Sequence, residues 1–171
     1  IWDQREKLGH SVRTIDETLD LASSDLDTAT SLLSCRYIAG VERLTEELGS
    51  LALAQWKNNA RSWLPKLAMS VHERHRSKGE VAFMLEPELK EGRGGLRDVH
   101  AMGWANQSGQ GPLEVEHHQL LECYEIILRA RVELHRSAKR SSDKLLLEQQ
   151  DAVSAALGYA DADFLMADVA S

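Results

Sequence analysis

Three of the eleven glycines, Gly92, Gly94 and Gly95, crowd into four consecutive positions of a chain that otherwise uses glycine sparingly and holds only three prolines. So few breakers imply a mostly helical chain, and they single out one place where the backbone is free to turn sharply. That place lies in Leu85-Glu86-Pro87-Glu88-Leu89-Lys90-Glu91-Gly92-Arg93-Gly94-Gly95-Leu96-Arg97-Asp98-Val99-His100. Leu85, Leu89, Leu96 and Val99 have the spacing of residues that anchor a loop. Close glycines allow positive φ and let bare N–H groups approach a ligand. Lys90, Arg93 and Arg97 add positive charge, and a helix starting near Leu96 would turn its free N–H groups toward the same space. On the residues alone this is a loop that handles an anionic group or clamps one element against another. The alternative is an ordinary connection between helices.

At 171 residues the chain is one medium domain, or a domain with a piece of its neighbour. The net charge of −7 speaks against general nucleic-acid binding but leaves room for a local cationic pocket. Cys35 and Cys123 are isolated, with no CxxC, so neither a disulfide framework nor a zinc site is expected. A reducing cytoplasm fits such cysteine usage best. No apolar run approaches the ~20 residues that cross a bilayer, so no membrane association is expected. Residues 1–7 lack the apolar core of a signal peptide and no Met opens the chain, which begins in mid-pattern and reads as a fragment of something longer.

Residues 9–14, Gly-His-Ser-Val-Arg-Thr, are the best strand candidate. Thr14-Ile-Asp-Glu17 is a capping box that starts a helix with Ile15, Leu19 and Ala22 on one face. Ser24-Asp25 caps a second helix, expected to carry Leu26, Ala29, Leu33 and Ile38 near one side and to end at Gly40. Val41, Leu44, Leu48 and Leu51 continue at helical spacing, and a longer helix is expected over about 53–78, kinked or divided by Pro65 near Trp63. Residues 80–85 read as a short extended approach to the glycine loop. Further helices are expected over about 96–106, 114–139 and 146–157, the last stopped by Gly158, with a terminal helix from Asp161. The expected fold class is mainly α, a helical bundle, with no internal repeat.

The glycine stretch closely resembles the signature of bacterial PII-protein uridylyltransferase/uridylyl-removing enzymes. Trp2-Asp3 with Leu8-Gly-His-Ser-Val-Arg-Thr14 resembles the end of that family's α/β nucleotidyltransferase domain, and Asp25-Leu26, Thr28-Ala29-Thr30, Arg36 and Ile38-Ala39-Gly40 resemble the helix that follows. Arg131, Leu134-His135, Arg140, Asp143, Leu145-Leu146 and Gln150 fit its helical domain. The resemblance implies that residues 1–40 are the C-terminal part of the nucleotidyltransferase domain and 41–171 the helical domain, cut before a His-Asp hydrolase domain. It implies a parent enzyme that uses Mg²⁺ and UTP to transfer UMP to a tyrosine of the PII protein and removes it hydrolytically when glutamine is plentiful. Glutamine synthetase adenylyltransferases are the related alternative, set apart by Glu-Phe where this chain has Val99-His100. A non-catalytic helical interaction module is the third reading.

No catalytic residue or metal ligand is expected within this segment, because the family's metal-binding Asp-x-Asp pair would lie before Ile1. Asp25-Leu-Asp27 and Asp161-Ala-Asp163 are not substitutes; Asp25 is expected to cap a helix. Lys90 and Arg97 are the first candidates for nucleotide phosphates, against a bland pairing with Glu86, Glu88 or Asp98. Arg93, Gly94, Gly95, Asp98, His100 and Arg13 complete the substrate-binding candidates, with Gly94 and Gly95 setting the loop's path, Asp98 capping and His100 packing. The basic run His72, Arg74, His75, Arg76, Lys78 is expected to be a solvated face, and Trp56, Trp63 and Trp104 core anchors.

Overall fold

A computed structural model describes residues 9–78, 81, 84–110, 117–138 and 141–170. Their regular elements are helices, and no strand occurs among the described residues. Contacts divide the chain into two compact units, 1–59 and 60–171.

The first unit contains α1 (Ile15–Ala22), α2 (Leu26–Leu32) and α3 (Glu42–Asn58), each packed on the other two. The Thr14–Glu17 capping box forms as read from the sequence, with Thr14 Oγ1 accepting the Glu17 N–H at 3.2 Å and Glu17 Oε2 accepting the Thr14 N–H at 2.8 Å. Asp25 caps α2 through the Thr28 N–H at 2.7 Å. The other expectations here are corrected. Residues 9–14 are irregular rather than a strand. The second helix ends at Leu32, well short of Gly40, because the N–H groups of Leu33, Ser34 and Cys35 turn back on carbonyls three residues earlier; Ile38 lies outside it and is 81% exposed. The helical spacing of Leu44, Leu48 and Leu51, by contrast, is borne out by α3, along which Leu44 and Leu51 are exposed and Val41 is the exposed N-cap. The division expected at Pro65 falls at Asn59 instead, and Pro65 sits inside the following helix.

The second unit contains α4 (Ala60–Lys78), α5 (Leu96–Gln107), α6 (His117–Ala138), α7 (Leu147–Leu157) and α8 (Ala162–Ala170). Its core joins Leu89 and Leu96 from the glycine stretch to Ile127, Ala130 and Leu134 of α6, Leu145, Val153 of α7, and Leu165 and Val169 of α8. Gly158 stops α7 as expected, in the left-handed region at φ 82°. Leu85 is not an anchor: it is 77% exposed, and Pro87 and Leu89 are the buried residues instead. Trp63 is buried, whereas Trp104 is only partly so. The proposed extended approach at 80–85 lies largely outside the described residues, of which Val81 is buried and donates its N–H to the Arg93 carbonyl at 2.9 Å.

Candidate functional site

The stretch from Glu86 to Asp98 is tied into a knot by its own polar groups. Glu88 forms an isolated antiparallel bridge with Lys144. Beside it the Leu89 N–H donates to the Asp143 carbonyl at 2.8 Å and the Leu145 N–H to the Pro87 carbonyl at 2.9 Å. The Glu88 carboxylate then folds over the turn and accepts the N–H groups of Lys90 (3.2 Å) and Glu91 (2.6 Å). Gly92 donates to the Glu88 carbonyl at 3.1 Å, and Gly95 to the Gly92 carbonyl at 2.9 Å. Leu96 and Arg97, the first residues of α5, donate to the carbonyls of Leu89 (3.0 Å) and Lys90 (2.9 Å).

This overturns the expectation of bare N–H groups facing a ligand: the loop and the start of α5 satisfy each other. The glycines are needed for that closure. A Cβ on Gly95 would stand 2.8 Å from the Leu89 carbonyl oxygen and 3.0 Å from that of Gly92, and Gly94 takes φ 86°. What the loop offers a partner is its side chains. Lys90 Nζ and Arg97 Nε share Glu91 Oε1 at 3.7 and 3.4 Å, with 37% and 41% of their side chains exposed. Glu91, rather than Glu86, Glu88 or Asp98, is thus their acidic partner. Such exposed pairs are worth about 0–1 kcal/mol.

Asp98 serves as the buckle. Its Oδ2 accepts the Gly94 N–H at 2.8 Å, but the expected N-cap is corrected: Gly95 caps α5 without a side-chain bond, and Asp98 sits inside the first turn. It also pairs with Arg74, and His75 Nε2 lies 2.7 Å from Oδ2. Arg74 and His75 belong to the run expected to be a solvated face; they are instead mostly buried against this carboxylate. The only hint in the sequence was an acid three residues after Gly95 with a cationic helix end before it. A second cluster of the same composition holds the other side, where Arg131 Nε donates to Asp143 Oδ1 at 2.6 Å and His135, one turn on, lies 3.5 Å from it. The i, i+4 spacing of Arg131 and His135 was its signal. Glu86 completes the strap, pairing with Lys144 Nζ at 2.7 Å and accepting the Leu147 N–H at 3.3 Å, interactions that hold its carboxyl below the ordinary range.

The remaining candidates scatter. Arg93 is exposed at the turn. His100 packs its ring on Trp104 and Tyr124, at centroid distances of 5.8 and 5.5 Å, and burial followed by repulsion from Arg97 lowers its pKa. Arg13 belongs to the first unit, where it donates to Ser11 Oγ at 3.0 Å. Asp25 and Asp161 are helix caps, the latter accepting the Phe164 N–H at 3.1 Å. Among the described residues no group of three or more His, Cys, Asp or Glu side chains is arranged to hold a metal ion. No described helix is long and apolar enough to cross a membrane.

Fold and site together define a helical module organised around an internally hydrogen-bonded, glycine-rich, cation-bearing loop. Residues 64–111 and 108–170 match the GlnD PII-uridylyltransferase family, and the chain belongs to it. It is 40% identical over 167 residues to the bifunctional uridylyltransferase/uridylyl-removing enzyme of Mycobacterium tuberculosis, covering 94% of this chain and 21% of that protein. The enzyme of the same name from Streptomyces coelicolor is 40% identical over 169 residues, covering 99% of this chain and 20% of its own length. That of Vibrio campbellii is 30% identical over 171 residues, 93% of this chain and 20% of that protein. The chain thus spans about a fifth of the length of the curated relatives it matches. No solved structure matches it.

Proposed function

We propose that this chain is the central helical part of a cytoplasmic bifunctional enzyme that transfers UMP from UTP to the PII protein and removes it again in response to glutamine. The observation that carries this reading is the family match over 64–111 and 108–170, which includes the whole cation-bearing loop. In this reading residues 1–40 close a nucleotidyltransferase domain and 41–171 form its helical partner. The metal-bound carboxylates belong to the former domain, outside this segment, and no step on this chain runs through Mg²⁺.

The contribution of this segment is positioning and charge neutralisation. Lys90, Arg93 and Arg97 meet phosphate oxygens or an acidic face of PII through their side chains, since the neighbouring backbone donors are already engaged. Gly94 and Gly95 fix the path that presents those cations, and Asp98 locks it. Arg13 is a separate phosphate-binding candidate in the first unit, and His100, packed on Trp104 and Tyr124, borders Arg97 on the next turn of α5.

In the full-length enzyme, Lys90→Ala and Arg97→Ala are expected to lower UMP transfer about tenfold or more, the usual scale for lost transition-state charge stabilisation. Helical content and melting temperature should stay unchanged, since both side chains are half exposed. Undiminished transfer in both variants would remove the loop from catalysis and favour a purely structural module. Assay with ATP and glutamine synthetase in place of UTP and PII separates the adenylyltransferase alternative.

A further inference from the structure

Arg74 and His75, on the last turns of α4, both reach Asp98 in the first turn of α5, and all three side chains are mostly buried. The carboxylate is divided among several donors. Its Oδ1 accepts from Arg74 Nη2 and lies 2.9 Å from His75 Nε2. Its Oδ2 lies 2.7 Å from the same ring nitrogen and accepts the Gly94 N–H at 2.8 Å. Giving Oδ2 to the loop leaves Arg74 a contact through one nitrogen, in place of the two-pronged pairing that a guanidinium makes best with a carboxylate. Arg74 Nε is in consequence buried with no acceptor among the described residues. A pair that served stability alone would use that donor, because a buried N–H without an acceptor is destabilising.

What the division achieves is a tie between α4 and the piece of chain that carries Lys90 and Arg97. The Arg97 N–H donates to the Lys90 carbonyl at 2.9 Å, so the backbones of the two cations are joined, and Asp98 is the next residue along. Gly94, at φ 86°, hangs from the same carboxylate. We infer that Arg74 and His75 are positioning residues for UMP transfer: by gripping Asp98 from α4 they fix where the glycine loop holds the Lys90 and Arg97 side chains. Neither residue needs to touch substrate. The inference rests on the reading of the loop as an element that contacts phosphate or PII, and adds the α4 residues on which its aim depends. Misplacing a group by about 1 Å can cost up to ~10²-fold in rate. A residue that works only through others cannot cost more than their removal, so the loss of both cations sets the upper limit.

The test uses the full-length enzyme and follows UMP transfer to PII and UMP removal from it in parallel. Arg74→Met and His75→Ala are expected to slow transfer about tenfold and to leave removal unchanged, which reports that the protein is folded. Arg74→Lys and His75→Gln keep a donor for Asp98 and should restore most of the lost rate. The sharpest comparison is made in an enzyme that already carries Lys90→Ala and Arg97→Ala. There Arg74→Met should slow transfer no further, because the cations it positions are gone. A full additional loss in that background, equal losses of transfer and removal, failure of both conservative variants to rescue, or normal transfer in both α4 variants would overturn the inference. Should Arg74→Met fail to fold, His75→Ala, which leaves the Arg74 pair in place, makes the same comparison. Normal transfer in the enzyme with only Lys90→Ala and Arg97→Ala would instead refute the reading of the loop, and this inference with it.

Discussion

Asp98 and Glu88 each gather donors from several places, and so tie down a loop that is rich in glycine. Glu88 takes two successive backbone N–H groups, while Asp98 takes one backbone N–H, the Arg74 guanidinium and the His75 ring. Charge-assisted bonds of this kind are roughly twice as strong as neutral ones. His100, beside them on α5, behaves differently because its neighbours are rings. Packing against Trp104 and Tyr124 disfavours the imidazolium, and Arg97, three residues earlier, repels it. An NMR titration of its ring protons should therefore show a midpoint below the ordinary 6.5. Arg97→Gln should move that midpoint upward but leave it below the ordinary value, because burial is the larger cause. The linkage follows in sign. With its folded-state pKa depressed, His100 contributes stability that is fully present above about 6.5 and is lost as the pH falls through the folded value. A midpoint at or above 6.5, or a downward move in Arg97→Gln, would contradict this account of its surroundings.

At the scale of elements, local chemistry was legible and partnership was not. Thr14 with Glu17, Asp25, and Gly158 each act within a few residues of themselves, so the starts of α1 and α2 and the end of α7 follow directly from sequence. Helical spacing alone misled at Ile38, which lies beyond the end of α2, and at Leu44 it gave the helix but not the exposure, because periodicity shows that apolar residues share a side and not that anything covers it. The glycine loop shows the same limit. Its cations and its turn are apparent, but whether its N–H groups are bare depends on Asp143, more than forty residues away, and on carbonyls that meet them only once the loop has closed. Leu85 and Leu89 look equivalent in the sequence and differ wholly in the fold, at 77% and 0% exposed. Leu89→Ala should consequently cost about 2–5 kcal/mol, whereas Leu85→Ala should stay within about 0.5 kcal/mol. Urea midpoints of the two variants make the comparison, and equal losses would mean that the loop is not anchored through Leu89.

For the molecule as a whole, the two units are built to different standards of burial. The second contains Leu89, Leu134, Leu145, Val153 and Leu165, all with 0% exposure, and each such side chain is worth roughly 1.5–3 kcal/mol when withdrawn from water. Among the described residues of the first unit the buried ones are Ala22, Ala29, Thr30, Ala52 and Trp56, of which only the tryptophan is large. Its short helices rely on caps, and helices of seven or eight residues are marginal without packing. Local opening should therefore be easier in α1 and α2 than in α6 and α7. Hydrogen exchange followed by mass spectrometry is expected to show amides of α1 and α2 exchanging more than about tenfold faster than those of α6 and α7, a difference of about 1.4 kcal/mol in opening free energy. The Asp25 and Glu17 carboxylates are held below their ordinary pKa values by these caps, so the gap should widen as the pH falls through those lowered values and the caps protonate. Equal protection of all four helices at neutral pH would show that side-chain burial does not set the stability of the first unit.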